Sequence, residues 1–479
     1  MARIAVFGAG HLGVTHAACM AELGHDVEVV DPDAGRLDRL RNGELPFYEP
    51  GLAELLRRHL DDSRLSFTSS YDEAVALASI HFLTVPVPQK YGGPGADLGA
   101  LHAAIDELAP RLTSPAVVIG KSTVPVGTAR QVSARIRHLA PAGYAVNVGW
   151  NPDFLRKGHA VQDALAPDRI VLGIESDRLN YAERVLRAVY ARFVDAGTPF
   201  LVTDLATAEM VESVTNAFVA MKVSFANAVA DMCDGVGADI GVVADAVGRD
   251  RRIGRNLLEA GVGYGGALPG DVRAIMARAG QAGSDEMLAL LGVVDSINVR
   301  HRSKMVELTS SVLGGRLTGA RIAVLGAAYT ADSDDVLDSP ALNVAGHLHA
   351  EGASVSVFDP YAMDNARGVF PNFDYAGDAV EACQGADAVL VLTEWQQFRD
   401  LRPADLDGVV GSRRIIDGRN WLDPQLWRGA GWEYRGMGRP VAAAEGGHPV
   451  QSQSISTSKV WTEIVMQRLE SWGEVAGAG

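Results

Sequence analysis

Cysteine is scarce in this chain: three thiols in 479 residues, Cys19, Cys233 and Cys383, far apart and outside any Cys-x-x-Cys spacing. An odd, scattered set of this kind supports neither a disulfide framework nor a zinc site. Basic blocks are missing too, and a formal net charge of −16 is spread along the sequence. That excludes nucleic acid and acidic membrane as partners and leaves any anionic ligand to local donors. No apolar run approaches the ~20 residues of a membrane span. No basic region with a cleavage site stands before the first apolar run, Arg3–Phe7, so the expectation is a cytoplasmic protein.

What the chain does contain fits a compact α/β enzyme: 47% hydrophobic residues, 21% charged residues and 52 glycines. The length suggests about three domains, each able to bury its own core. Two similar segments, Arg3-Ile-Ala-Val-Phe-Gly-Ala-Gly and Arg321-Ile-Ala-Val-Leu-Gly-Ala-Ala, each open a Rossmann-like unit. Further strands are expected at 26–30, 81–85, 116–119 and 170–172 in the first unit, and at 354–358, 388–392 and 414–416 in the second. Between the units, 203–236 has helical spacing, no proline and a single late glycine, so it reads as one long helix with Thr203-Asp204 as caps.

These readings combine into an α/β fold of two Rossmann-like, doubly wound parallel-sheet domains joined by a long-helix dimerisation domain. The expected limits are 1–202, 203–315 and 316–445, with a tail at 446–479 that offers a short helix over 459–472. Long apolar-striped helices between sheet domains pack against copies of themselves, so a homodimer is expected.

Gly8-Ala-Gly10-His11-Leu12-Gly13 closes the first strand, and Asp31 ends the second. The first glycine permits the tight turn, the second lets the backbone approach a pyrophosphate, and the third lets helix and strand pack closely. The helix N-terminus then offers N–H donors to the phosphates. Asp31 accepts from a ribose and repels a 2′-phosphate, which favours NAD over NADP. Thr84, Val85 and Thr123 complete the expected cofactor set. Arg36 is expected to pair with Asp33. Gly326-Ala-Ala-Tyr329 lacks the full glycine pattern, so the second unit is assigned to the nucleotide part of a substrate rather than to a second dinucleotide.

The order of Leu23-Gly24-His25, Tyr48-Glu-Pro-Gly51, Lys121-Ser-Thr-Val-Pro125, Asn151-Pro-Asp-Phe-Leu155, Asn216-Ala-Phe, Arg252-Ile-Gly254, Gly263-Tyr-Gly-Gly266, Asp334-Asp335, Thr393-Glu-Trp395 and Asp417-Gly-Arg-Asn420 resembles the UDP-glucose/GDP-mannose dehydrogenase family over about residues 1–440. The resemblance implies an NAD domain, a helical dimerisation domain and a C-terminal domain closing over a nucleotide sugar. It assigns substrate contacts to Phe154, Leu155, Arg156, Lys157, Asn216, Arg252, Tyr264, Gly265 and Arg419, and catalysis to the region of Thr123, Asn216 and Asp271.

In that family a cysteine of the glycine loop captures an aldehyde as a thiohemiacetal, so that a second hydride can leave. Here the loop reads Gly265-Gly-Ala-Leu-Pro-Gly-Asp271, one residue shorter, with Ala267 or Leu268 where the thiol belongs. Lys157 stands where the family has glutamate, and Glu212 where it has lysine, as if acid and base had changed places and could meet. Thr330 and Leu337 replace a lysine and an arginine.

Without the thiol, one oxidation remains: a secondary alcohol to a ketone, as family-like dehydrogenases do before transamination in lincosamide-type antibiotic pathways. The proton acceptor is expected to be Lys157 first, with Glu212 or Asp271 acting through water as the alternatives. Epimerisation by transient oxidation, and a silent nucleotide-sugar binder, are the competing readings.

Overall fold

The computed structural model describes residues 1–90, 95–175 and 181–440. The expected helix over 459–472 lies outside them. An eight-stranded sheet comprises β1 (Arg3–Phe7), β2 (Asp26–Val30), β3 (Leu65–Thr68), β4 (Ile80–Leu83), β5 (Ala116–Gly120), β6 (Val146–Trp150), β7 (Ile170–Ile174) and β8 (Phe200–Asp204). Its order is β3-β2-β1-β4-β5-β6-β7-β8. All neighbours run parallel except β6 and β7.

Strand β1 shows why this sheet is interior: Ile4 and Val6 enter one apolar cluster, while Ala5 and Phe7 enter another on the opposite face. A strand covered on both sides reads as a continuous apolar run, which is how it was legible. The reversal of strand order between β1 and β4 opens a crevice at their C-terminal ends, and the glycine turn lies there.

The second sheet has six parallel strands: β9 (Arg321–Leu325), β10 (Ser354–Phe358), β11 (Asp374–Tyr375), β12 (Ala388–Val391), β13 (Arg414–Asp417) and β14 (Glu433–Gly436), in the order β11-β10-β9-β12-β13-β14. Every expected strand is present. The unanticipated ones are β3, β6, β8, β11 and β14. Of these, β3, β8, β11 and β14 are sheet edges, where polar residues such as Ser66, Thr203, Asp374 and Arg435 carry no continuous apolar signal.

Between the sheets a 32-residue helix, Leu205–Val236, packs against helices Leu268–Ala282 and Asp285–Val312. Asp204 alone caps it, accepting from the Thr207 N–H at 3.0 Å, while Thr203 belongs to β8. Among the described residues no helix is long and apolar enough to cross a membrane.

Candidate active site

The cofactor crevice is built by backbone. Gly8 has φ +111°, and a Cβ there would press on the Thr84 backbone at 3.1 Å. A Cβ on Gly13 would overlap the Gly8 carbonyl, whereas one on Gly10 would meet nothing within 4 Å. Gly10 therefore opens onto free space at the start of the helix His11–Glu22, as a pyrophosphate cradle requires. Thr84 donates to the carbonyls of Phe7 and Gly8 at 3.0 Å each, and so holds the turn. Leu12 and Val85 are both partly buried.

Asp31 accepts from the Ala9 N–H at 2.7 Å. Arg36 lies over Asp31, donating to both carboxylate oxygens at 3.1 Å, and reaches Asp33 only at 3.5 Å. The expected Arg36–Asp33 pair is thus the weaker contact, because the strand-end acid is the better buried partner. His11 bonds Glu49 at 2.8 Å, and Glu49 accepts from the N–H groups of Gly158 and Ala160 at 2.9 and 2.7 Å. The cofactor helix is thereby tied to the loop that carries Lys157.

In the second sheet the matching acid, Asp359, is already saturated. It accepts from the N–H groups of Ala327, Ala328, Tyr361 and Ala362 and from the Trp395 indole at 2.8–3.0 Å. Five donors leave it no place for an adenosine ribose.

The long helix brings together the residues expected to carry the reaction. Glu212 and Asn216, one turn apart, point to the same side. Thr123 donates its hydroxyl proton to Glu212, and Asn216 Nδ2 donates to Asp271 at 2.9 Å. Burial drives the Glu212 carboxyl well above its ordinary range, with Asp153 and Asp271 adding to the effect and Thr123 and Lys121 opposing it. Burial also lifts Asp271 from 3.8 to about 6, against the Asn216 hydrogen bond. Thr123, Glu212, Asn216 and Asp271 therefore form one line from the cofactor crevice to the glycine loop.

That loop is pinned from behind. Asn298 accepts from the Tyr264 N–H at 2.8 Å and donates to its carbonyl at 3.1 Å, while Arg302 adds a second donor to the same carbonyl at 3.0 Å. Arg419 donates to the carbonyls of Gly263, Tyr329 and Leu392 at 2.9–3.0 Å, which locks the loop to the second sheet. A Cβ on Gly266, at φ +69°, would strike the Tyr329 ring at 2.7 Å, and Gly265 is equally close to Asp338 and Pro340. The ring of Tyr329 thus covers the shortened loop.

Lys157 does not meet Glu212; it pairs with Asp335 of the C-terminal domain. The lysine in charge range of Glu212 is Lys121, which the sequence reading passed over because it sits inside a strand-end motif with no charge pattern around it. Leu155 is partly buried, its N–H on Asp153 at 3.2 Å, and Phe154 packs beneath the Arg169 guanidinium at 3.9 Å. Two assigned substrate contacts face elsewhere in the chain: Arg156 is held by Asp163 at 2.7 Å, and the exposed Arg252 by Asp250 at 2.6 Å. Thr330 bonds Glu394 at 3.3 Å, and Leu337 is exposed.

Models of the UDP-glucose/GDP-mannose dehydrogenase family match three stretches: its NAD binding domain at 2–194, its central domain at 206–300 and its UDP binding domain at 323–424. This chain belongs to that family. It is an NAD-dependent nucleotide-sugar dehydrogenase, acting on CH–OH groups. UDP-glucose 6-dehydrogenase of Rhizobium meliloti is 38% identical over 439 residues, covering 91% of this chain and all of the relative. UDP-glucose 6-dehydrogenase YwqF of Bacillus subtilis is 36% identical, with 92% and 99% covered. Among solved structures, a UDP-glucose dehydrogenase from Pyrobaculum islandicum superposes with a TM-score of 0.83 at 34% identity, covering 92% of this chain and 98% of that one.

Proposed function

We propose that this dehydrogenase performs a single two-electron oxidation of a secondary alcohol on a nucleotide-activated sugar, releasing a keto sugar and one NADH. The observation that carries this reading is the glycine loop, which holds no thiol between Gly263 and Asp271. All three cysteines are buried in other apolar clusters. A ketone has no second hydride to yield, so a site without a covalent trap suits a secondary carbinol.

NAD supplies the hydride acceptor. Glu212, reached through the Thr123 hydroxyl, takes the alcohol's proton, while Asn216 and Asp271 orient the oxygen. A positioned base of this kind is worth roughly 10²- to 10⁴-fold. Engagement of Lys157 by Asp335 argues for Glu212 over Lys157 as acceptor, and gives Lys157 the task of joining its loop to the C-terminal domain. The UDP-binding character of the matching C-terminal family model supports a uridine nucleotide on the substrate. An antibiotic sugar pathway, in which the ketone receives an amine, is a fitting context.

The test incubates the protein with NAD and a panel of UDP-, GDP- and longer-chain nucleotide sugars, follows NADH and weighs the product. One NADH with a loss of two hydrogens is expected. A sugar acid with two NADH refutes the reading, and a product of unchanged mass but inverted stereochemistry replaces it with epimerisation.

We further infer a cytoplasmic homodimer. Met210, Val214, Phe218, Phe225, Met232 and Val236 are exposed on the long helix. At about 100° per residue they fall in one stripe roughly 80° wide. A self-matching apolar stripe suits a two-fold contact with a second copy.

A further inference from the structure

We propose that Tyr329 is a specificity-determining residue, its phenol donating a hydrogen bond to the sugar of the substrate. The inference rests on the reading of that substrate as a nucleotide-activated sugar.

The ring of Tyr329 bridges two parts of the molecule. It follows β9 at the C-terminal end, just after the Gly326 turn, where the second sheet reverses its order between β9 and β12. Ligands of open α/β sheets settle in the crevice at such a reversal. From there the side chain runs along the glycine loop. A Cβ on Gly265 would lie 2.9 Å from the Tyr329 Cβ, and one on Gly266 would lie 2.7 Å from Cζ and 2.9 Å from both Cε atoms. The hydroxyl-bearing end of the ring therefore rests on Gly266, at the entry to helix Leu268–Ala282, whose first turn carries Asp271. A ligand with its nucleotide in the second crevice and its sugar at Asn216 and Asp271 has to pass this ring.

Backbone contacts fix the ring in that place. The Tyr329 N–H donates to the Asp335 carbonyl at 3.1 Å, and its own carbonyl accepts from Arg419 at 3.0 Å. The Gly266 N–H donates to the Leu337 carbonyl at 2.8 Å, so loop and ring are held by one segment.

The hydroxyl itself is unused. Tyr190, Tyr375 and Tyr434 commit theirs inside the protein, to Asn151, the Phe370 carbonyl and Asp417 at 2.8–2.9 Å. The half-buried Tyr329 has no such partner among the described residues, and its oxygen is not one of those sealed from solvent. Packing alone would be served by phenylalanine; a phenol at this place has a hydrogen bond to give. Burial first, and then Asp335, Glu49 and Glu394, hold the phenol above its ordinary range, which keeps it a neutral donor. The ring carries that donor away from the Gly326 turn and onto the Asp271 side, which assigns it to the sugar rather than to the phosphates.

Calorimetry without NAD, so that nothing turns over, tests this with UDP-glucose against UDP and GDP-mannose against GDP, on the parent and on Y329F. Y329F should lose about three- to tenfold in affinity for the sugar nucleotide that the parent binds, the worth of one neutral hydrogen bond. Affinity for the free nucleotide and the melting temperature should stay unchanged, whereas a merely structural phenol would move the latter. Unchanged affinity for the sugar nucleotide overturns the proposal. Equal losses for sugar nucleotide and free nucleotide place the donor on the diphosphate, and overturn its part in choosing the sugar. A parent that binds neither sugar nucleotide refutes the reading of the substrate itself, and the proposal with it.

Discussion

Replacing Asp271 with asparagine should separate activity from stability at a single atom. Asp271 sits in the first turn of helix Leu268–Ala282 and is partly buried, and its carboxyl is lifted from 3.8 to about 6 by burial. Because the folded value lies above the unfolded one, the native state prefers the neutral acid. The penalty for ionising it grows as pH rises from about 4 to 6, and is complete above that. A shift of roughly 2.2 units corresponds to about 3 kcal/mol, and partial exposure to the cleft reduces the expected figure to ~1–2 kcal/mol.

Asparagine keeps the acceptor for Asn216 and removes the charge. D271N should therefore be more stable than the parent at pH 7.5 by that amount, and lose the advantage below about pH 4. Urea midpoints at the two pH values measure this without any substrate. Turnover at pH 7.5 should fall at the same time, since the oriented carboxylate is gone. Equal midpoints at pH 7.5, or a gain that persists unchanged at pH 4, would refute the reasoning.

E212Q should lower kcat by roughly 10²- to 10⁴-fold, whereas K157A should raise KM with a much smaller change in kcat; steady-state kinetics on one nucleotide sugar distinguishes them, and the reverse pattern restores Lys157 as acceptor. His81 is fully buried in β4 with no hydrogen-bond partner on either ring nitrogen among the described residues, and burial pulls it from 6.5 to about 4. Its neutral form is the native one, so the stability it allows is complete above pH 6.5 and drains away, by up to about 3 kcal/mol, as pH falls to 4. H81L should shift acid unfolding followed by circular dichroism to lower pH; an unmoved midpoint removes His81 as its cause. Phe218→Asp with Phe225→Asp should halve the mass seen by sedimentation, and an unchanged mass excludes the stripe as an interface.

The glycine turn after the first strand was readable from sequence because its signal is local. Strand, glycines, helix and terminal acid lie within about 30 residues, and backbone geometry forces the residue types. The proposed reaction centre was readable only in part. Thr123, Glu212, Asn216 and Asp271 were named from motifs and do converge. The pairing of Lys157 was misread, because exchanged charges in two aligned motifs say nothing of a third acid, Asp335, entering from the C-terminal domain. Asn298 and Arg302, which fix the Tyr264 backbone, carry no motif at all; they are polar positions on a long helix that resemble any others.

The sequence alone determined the two sheets, the long helix between them, the dinucleotide crevice and the absence of cysteine from the glycine loop at 263–271. These follow from periodicity, from glycine sterics and from composition, which act over short stretches of chain. Tertiary structure decided which charges oppose one another: Lys157 with Asp335, and Arg36 with Asp31. A buried ion selects whichever partner shares its low-dielectric pocket, and pockets are made by segments far apart in the chain.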